Sequence, residues 1–208
     1  LVAQRDPAQG YASTSGSVML QIGSLLATDS DDWRLYAAQQ TLDAGGINGA
    51  QRIIDQIPAT SPYAPDAEIV RASIQIERGN DADAAAAADR ALAIAVDRWA
   101  IIASVGDVYR RIGHPDRAIP AFDRALTLTQ DGKDRADVLG WRAYAHRFSG
   151  NLAAATADMR AAYEADPSVD TRLLYVTILM DDPAAWNDGI AMARSLFAEQ
   201  PDSVMRLN

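Results

Sequence analysis

The feature that most constrains this chain is a spacing. In the stretch Trp99 to Gln130, apolar or small residues fall at Ile102, Val105, Gly106 and Tyr109, an i, i+3, i+4, i+7 stripe, and again at Ala118, Ile119, Phe122, Ala125 and Leu126. Gly113 breaks the first pattern and His114-Pro115 turns the chain. Two amphipathic helices are therefore predicted, joined by a tight turn. The pattern recurs. With Trp99 as position 1, a step of 34 residues back places Ala72 at position 8, Gly79 at 15 and Ala84, Ala88 and Ala91 at 20, 24 and 27. A second step places Ala38, Gly45, Ala50 and Ile54 at 8, 15, 20 and 24. Forward, three extra residues fall in the polar run Gln130 to Asp134. The register then resumes with Leu139, Ala143, Gly150, Ala155, Met159 and Ala162. A fifth unit carries Leu173, Gly189, Leu196 and Pro201, with Ala184 where the turn glycine belongs.

This arrangement resembles the tetratricopeptide repeat, a helix–turn–helix unit of about 34 residues. The resemblance covers five units starting near Asp31, Pro65, Trp99, Ala136 and Asp170. It implies an all-α fold, a right-handed α-solenoid of stacked antiparallel helix pairs with about eleven helices. In such arrays each pair buries its stripe against the next. Residues 1–15 read as an irregular arm or linker, 16–30 as a capping helix or half repeat, and 31–208 as the array. Leu1 in place of an initiating methionine implies a processed or excised chain. Val204 to Asn208 would open a sixth unit, so the array is expected to continue beyond Asn208, and its uncapped ends allow self-association.

Within this frame Pro58 should end the second helix of unit one early, because a proline inside a helix loses a hydrogen bond and clashes. Ala118, Ala125, Ala143, Ala155 and Ala162 are expected at helix crossings. The second helix of unit two, rich in alanine, packs closely but buries little area.

Composition narrows the function. The chain of 208 residues has a formal net charge of -9. That disfavours nucleic acid, which is bound by basic faces, and anionic membrane surfaces. No apolar run approaches the roughly 18 residues of a membrane-spanning helix. With no cysteine, disulfides, zinc–thiolate sites and thiol catalysis are excluded. Lys133 is the single lysine while arginine and alanine abound, which suggests a bacterial gene of high GC content. The acidic run Asp29 to Asp32 lacks the glycine and distal glutamate of a calcium loop at their required spacing, so it reads as a helix N-cap, and Asp131 to Asp134 reads the same way. His114 sits in a turn and His146 at a packing position. No catalytic constellation, metal site or cofactor motif is present, so no enzyme activity and no cofactor are expected.

The resemblance implies protein–protein recognition in the concave groove lined by the first helices. The alternative is a structural spacer or self-assembling scaffold. Similar arrays in the bacterial envelope serve exopolysaccharide export and pilus assembly, which leans the localisation toward the envelope or periplasm. The family's carboxylate clamp would need Lys, Asn and Arg where units one to three have Leu35, Gln39, Val70, Ala100 and Ser104, so a clamp is not expected.

Positions 2, 5, 9, 12 and 13 of each first helix are expected to face the groove. In units one and two these are Asp32, Leu35, Gln39, Leu42 and Asp43, then Asp66, Ile69, Ser73, Ile76 and Glu77. Unit three contributes Ala100, Ala103, Asp107, Arg110 and Arg111, and unit four Asp137, Gly140, Tyr144, Arg147 and Phe148. Three arginines and two aromatics gather there in an otherwise acidic chain, the composition of interface hot spots. The candidate partner-binding residues are therefore Asp107, Arg110, Arg111, Tyr144, Arg147 and Phe148, facing a segment with acidic and apolar side chains. The competing reading pairs Arg110 and Arg147 with nearby acids as solvated surface and packs Phe148 under the turn.

Overall fold

The structure, a computed structural model, describes residues 30–130 and 132–199. The arm at 1–15, nearly all of the capping segment and the start of a sixth unit lie outside the described residues. Ten α-helices and no strand are found among the described residues. They are α1 (Asp31–Asp43), α2 (Ile47–Ile54), α3 (Ala64–Glu77), α4 (Asp81–Ile94), α5 (Trp99–Arg111), α6 (Pro115–Leu128), α7 (Gly132–Phe148), α8 (Leu152–Ala165), α9 (Val169–Asp181) and α10 (Trp186–Glu199).

Each odd-numbered helix packs on the helix that follows it. Four of the five pairs close through the same turn, in which Gly45, Gly79, Gly113 and Gly150 have φ of 79, 72, 78 and 79°. At the third turn the Gly113 amide donates to the Arg110 carbonyl (3.2 Å) and the His114 amide to the Tyr109 carbonyl (2.8 Å). The same bonds, three and five residues back, recur at the other three glycines. This C-cap needs a left-handed residue, which glycine supplies without a Cβ clash.

The helices divide into two compact units between Ile94 and Ala95. In the first, Ala38, Leu42, Ala50, Ile54, Ala67, Val70 and Ile74 form one buried cluster. Helix α2 ends at Ile54, ahead of Pro58. The Ile54 carbonyl accepts from the Ile57 amide at 3.2 Å and from Arg71 of α3 at 2.9 Å, so the helix end is satisfied in part from the next pair. Helix α4 buries only alanines, at 84, 87, 88 and 91.

The second unit holds three pairs, α5/α6, α7/α8 and α9/α10. Its fully buried side chains include Ile102, Val105, Phe122, Val138, Met159, Ile178 and Leu196. The alanines expected at crossings, 118, 125, 143, 155 and 162, are all 0% exposed. Two details differ from the expected frame. The extra residues before unit four do not form a loop alone: α7 starts at Gly132, four residues ahead of the expected Ala136, and is 17 residues long. The turn between α9 and α10 has four residues, Asp182 to Ala185, where the turns inside the other four pairs have three. It is closed by the Ala184 amide on the Asp182 carboxylate (2.9 Å) and the Ala185 amide on the Asp182 carbonyl. The added residue shifts the register of α9 by one. Its buried positions Thr171, Tyr175, Ile178 and Leu179 correspond to Ile101, Val105, Val108 and Tyr109 of α5 when the fifth unit starts at Val169.

A candidate partner-binding face in the second unit

In the second unit α5 adjoins α7 and α7 adjoins α9, so the three first helices form one side. Helix period and the packing of neighbouring first helices together decide which residues it shows. The side chains that stay out of the core fall at positions 2, 6, 9 and 13, a 4, 3, 4 spacing that keeps one face of a helix. On α5 they are Ala100, Ser104, Asp107 and Arg111; on α7, Asp137, Trp141, Tyr144 and Phe148; on α9, Asp170, Leu174, Thr177 and Asp181. Every one is exposed or half-buried. Phe148 is 66% exposed, Leu174 40% and Trp141 37%.

The face therefore differs from the expected one at two positions: 5 gives way to 6, and 12 falls beside the stripe. Position 5 is buried: Ala103 has no exposure and Gly140 is buried as well. Position 6 takes its place and brings in Trp141, whose ring lies 6.5 Å from that of Phe122. The expected face, which took position 5 and not 6, left this tryptophan out. Of the six candidate residues, Asp107, Arg111, Tyr144 and Phe148 lie on the stripe. Arg110 and Arg147 flank it at position 12.

Three cations on or beside this face are paired with its acids. Arg110 donates to Asp107 through Nε (2.9 Å) and Nη2 (2.6 Å). Arg147 pairs with Asp181 across from α7 to α9. Lys133 meets Asp137 at 3.2 Å, and that carboxylate pulls the lysine above its ordinary pKa. Arg111 also has an interaction partner. So the arginine pairing of the solvated-surface reading is present, while Phe148 is exposed and not packed under the turn.

His146 does not reach this face. It belongs to a half-buried polar network behind it. Arg142 of α7 donates to both oxygens of Asp158 on α8 (2.8 and 2.6 Å) and to Asp123 on α6 (2.6 Å). These bonds, Asp158 first, hold the Arg142 pKa above its ordinary value. His146 Nε2 lies 3.7 Å from Asp158. The network ties three helices together, a structural arrangement. At the start of α1 the Asp32 carboxyl is held below its usual range by the Ser30 hydroxyl and the Trp33 amide, as an N-terminal acid should be. No group of three or more His, Asp or Glu side chains placed to hold a metal occurs among the described residues.

Residues 101–131 and 136–169 match the tetratricopeptide repeat family. These are tetratricopeptide repeats. The two matches coincide with α5/α6 and α7/α8, the pairs that supply most of the face. No curated protein sequence matches the chain. Among solved structures, the thermophilic tetratricopeptide protein TTC0263 of Thermus thermophilus aligns over 83% of this chain and 95% of its own, with 19% identity and a TM-score of 0.69. MamA from Desulfovibrio magneticus aligns over 83% and 98%, with 14% identity and a TM-score of 0.63. YrrB, described as a tetratricopeptide protein with an unusual peptide-binding site, aligns over 90% and 95%, with 15% identity and a TM-score of 0.57. These likenesses show the fold. Repeats of this class generally mediate protein–protein interaction through such extended faces. No helix among the described residues is long and apolar enough to cross a membrane.

Proposed function

We propose that the chain is a protein-interaction module that holds a segment of a partner protein across the first-helix face of its second unit. One observation carries this reading. Trp141, Tyr144 and Phe148 stand at i, i+3 and i+7 on α7, the middle helix of the three, and remain exposed or half-buried. Large exposed aromatics on one patch are a cost in water unless something covers them, and aromatic residues are enriched at interface centres. The paired Arg110, Arg147 and Lys133 then act as a polar rim that fixes register. The peptide-binding site named for YrrB agrees with a role of this kind.

The test is a pull-down with the intact chain followed by binding of the purified partner. Phe148→Ser and Tyr144→Ser should each weaken it, whereas Arg90→Glu and Arg160→Glu, on second helices, should not. Equal effects from the two sets would show that general charge or surface drives association and would overturn the proposal. The competing reading, a self-assembling spacer of the cell envelope, draws on Trp186 and Phe197 of α10, which are 46 and 52% exposed. Sedimentation velocity decides it: concentration-dependent growth abolished by Trp186→Ser and Phe197→Ser would favour assembly.

A further inference from the structure

The chemistry of the partner segment follows from how this face is charged and spaced, given that the face binds a partner at all. We infer that it takes an uncharged, proline-rich segment in the extended polyproline conformation, not the acidic segment that the arginine content suggests. The first argument is charge. Arg110 carries Asp107, Arg147 carries Asp181 and Lys133 carries Asp137 within hydrogen-bonding or ion-pair reach. An acidic segment would have to displace three carboxylates to reach those cations, and a basic one three cations to reach the acids. A segment without net charge displaces neither, so it is the electrostatic complement of a face whose ion pairs are already closed.

The second argument is spacing. Trp141 and Phe148 are seven residues apart on α7, a rise of about 10 Å at 1.5 Å per residue. Prolines three apart in a polyproline helix are separated by about 9 Å at 3.1 Å per residue. One proline can rest on each outer ring, with the ring of Tyr144 between them. Aromatic ledges of this kind suit the preformed, low-entropy polyproline chain. The third argument is hydrogen bonding. A polyproline chain has no internal hydrogen bonds and leaves its carbonyls to solvent. The Trp141 indole N–H and the Tyr144 hydroxyl, on side chains that are exposed or half-buried, can donate to such carbonyls. A partner helix has satisfied its own carbonyls and gains nothing from them. It also needs a broad apolar groove, whereas this stripe is one aromatic wide and flanked by Ser104, Asp107 and Thr177.

The experiment is fluorescence anisotropy with the full chain and three labelled peptides of equal length: an uncharged Pro-x-x-Pro repeat, a Glu-rich amphipathic peptide and an Arg-rich one. The proline peptide should bind tightest, and raising salt several-fold over the physiological level should change its affinity by less than about threefold, because no new ion pair is screened. Phe148→Ser, at an exposed site that leaves folding intact, should weaken it about tenfold or more, and Leu174→Ser on the neighbouring helix less. Circular dichroism of each variant separates lost binding from lost structure. Tighter, salt-sensitive binding of the Glu-rich or the Arg-rich peptide that Phe148→Ser also weakens would overturn the inference while leaving the face as the binding site. Binding of the proline peptide unaffected by Phe148→Ser would overturn it as well. If none of the three peptides binds, but a partner from the pull-down does and depends on Phe148, the inference fails and the function stands.

Discussion

Removing Arg142 should be the most destabilising single change of charge in the second unit. Its guanidinium spans α6, α7 and α8 through Asp123 and both oxygens of Asp158. The exposures set the magnitude. The Asp158 side chain is 10% exposed and that of Arg142 22%, whereas Asp123 is 55% exposed. Arg142→Met keeps the stem's apolar contacts and strands the Asp158 carboxylate with only His146 nearby. Breaking a buried pair from one side typically costs 3–5 kcal/mol. Because water reaches the edge of this site, the lower end applies, about 3 kcal/mol. Asp158→Asn should cost less, about 2 kcal/mol, since the arginine left behind is more exposed and retains Asp123. Asp123→Asn should cost under about 1 kcal/mol, as exposed pairs do. The double variant Arg142→Met, Asp158→Leu removes both charges and should recover most of the loss. Urea unfolding followed by circular dichroism, fitted with separate transitions for the two compact units if they resolve, gives the four values. The reasoning is refuted if Arg142→Met costs no more than Asp123→Asn, or if the double variant is worse than the sum of its parts.

The buried alanines offer a second check: Ala118→Leu and Ala155→Leu should each cost about 1–3 kcal/mol by overpacking, and an unchanged melting temperature would show that they are not at crossings. Glu199 is held down to about 2 by the Arg172 guanidinium and then the Ser195 hydroxyl. A carboxylate depressed in the folded state adds stability above its unfolded pKa, and that stability is lost as pH falls from about 4.5 toward 2. NMR titration should therefore find Glu199 ionised well below its ordinary value in the intact chain and back near it in Arg172→Ala.

What the sequence revealed, and what it hid, divide along a physical line. The four turn glycines were legible because a left-handed backbone admits few other residues, so each must recur at the same place. The alanines at positions 8, 20 and 27 were legible because close helix approach tolerates only small side chains. The register of α9 was hidden. No glycine marks its turn, and one added residue in a proline-containing loop leaves no periodic trace. Trp141 was missed for a related reason: positions 5 and 6 are 100° apart on a helix, and only the packing of α5 beside α7 settles which is covered. The pairing of Arg147 with Asp181 lies 34 residues apart in the chain, beyond any local pattern. The arginines thus looked available when the fold had already neutralised them.

Two glycines in neighbouring first helices show how sharply position decides an outcome. Both are mid-helix, where glycine costs roughly 0.5–1 kcal/mol relative to alanine. A Cβ on Gly106 would lie 2.7–2.9 Å from three atoms of the Phe122 ring, and that ring is fully buried. The ring has no free end to swing away and must shift against its neighbours, so the overpacking cost of about 1–3 kcal/mol exceeds the propensity gain. A Cβ on Gly140 would meet only the Met159 sulfur at 3.9 Å, an ordinary contact with a flexible side chain. Gly106→Ala should therefore destabilise the chain and Gly140→Ala stabilise it by up to about 1 kcal/mol. Because Gly140 is buried and off the aromatic stripe, its replacement should leave partner binding unchanged. Thermal melts of the two variants, run beside the parent, give the signs directly. Two shifts of the same sign would mean that α5 and α7 do not sit on their second helices as described, and the assignment of Trp141, Tyr144 and Phe148 to the outer face would fall with them.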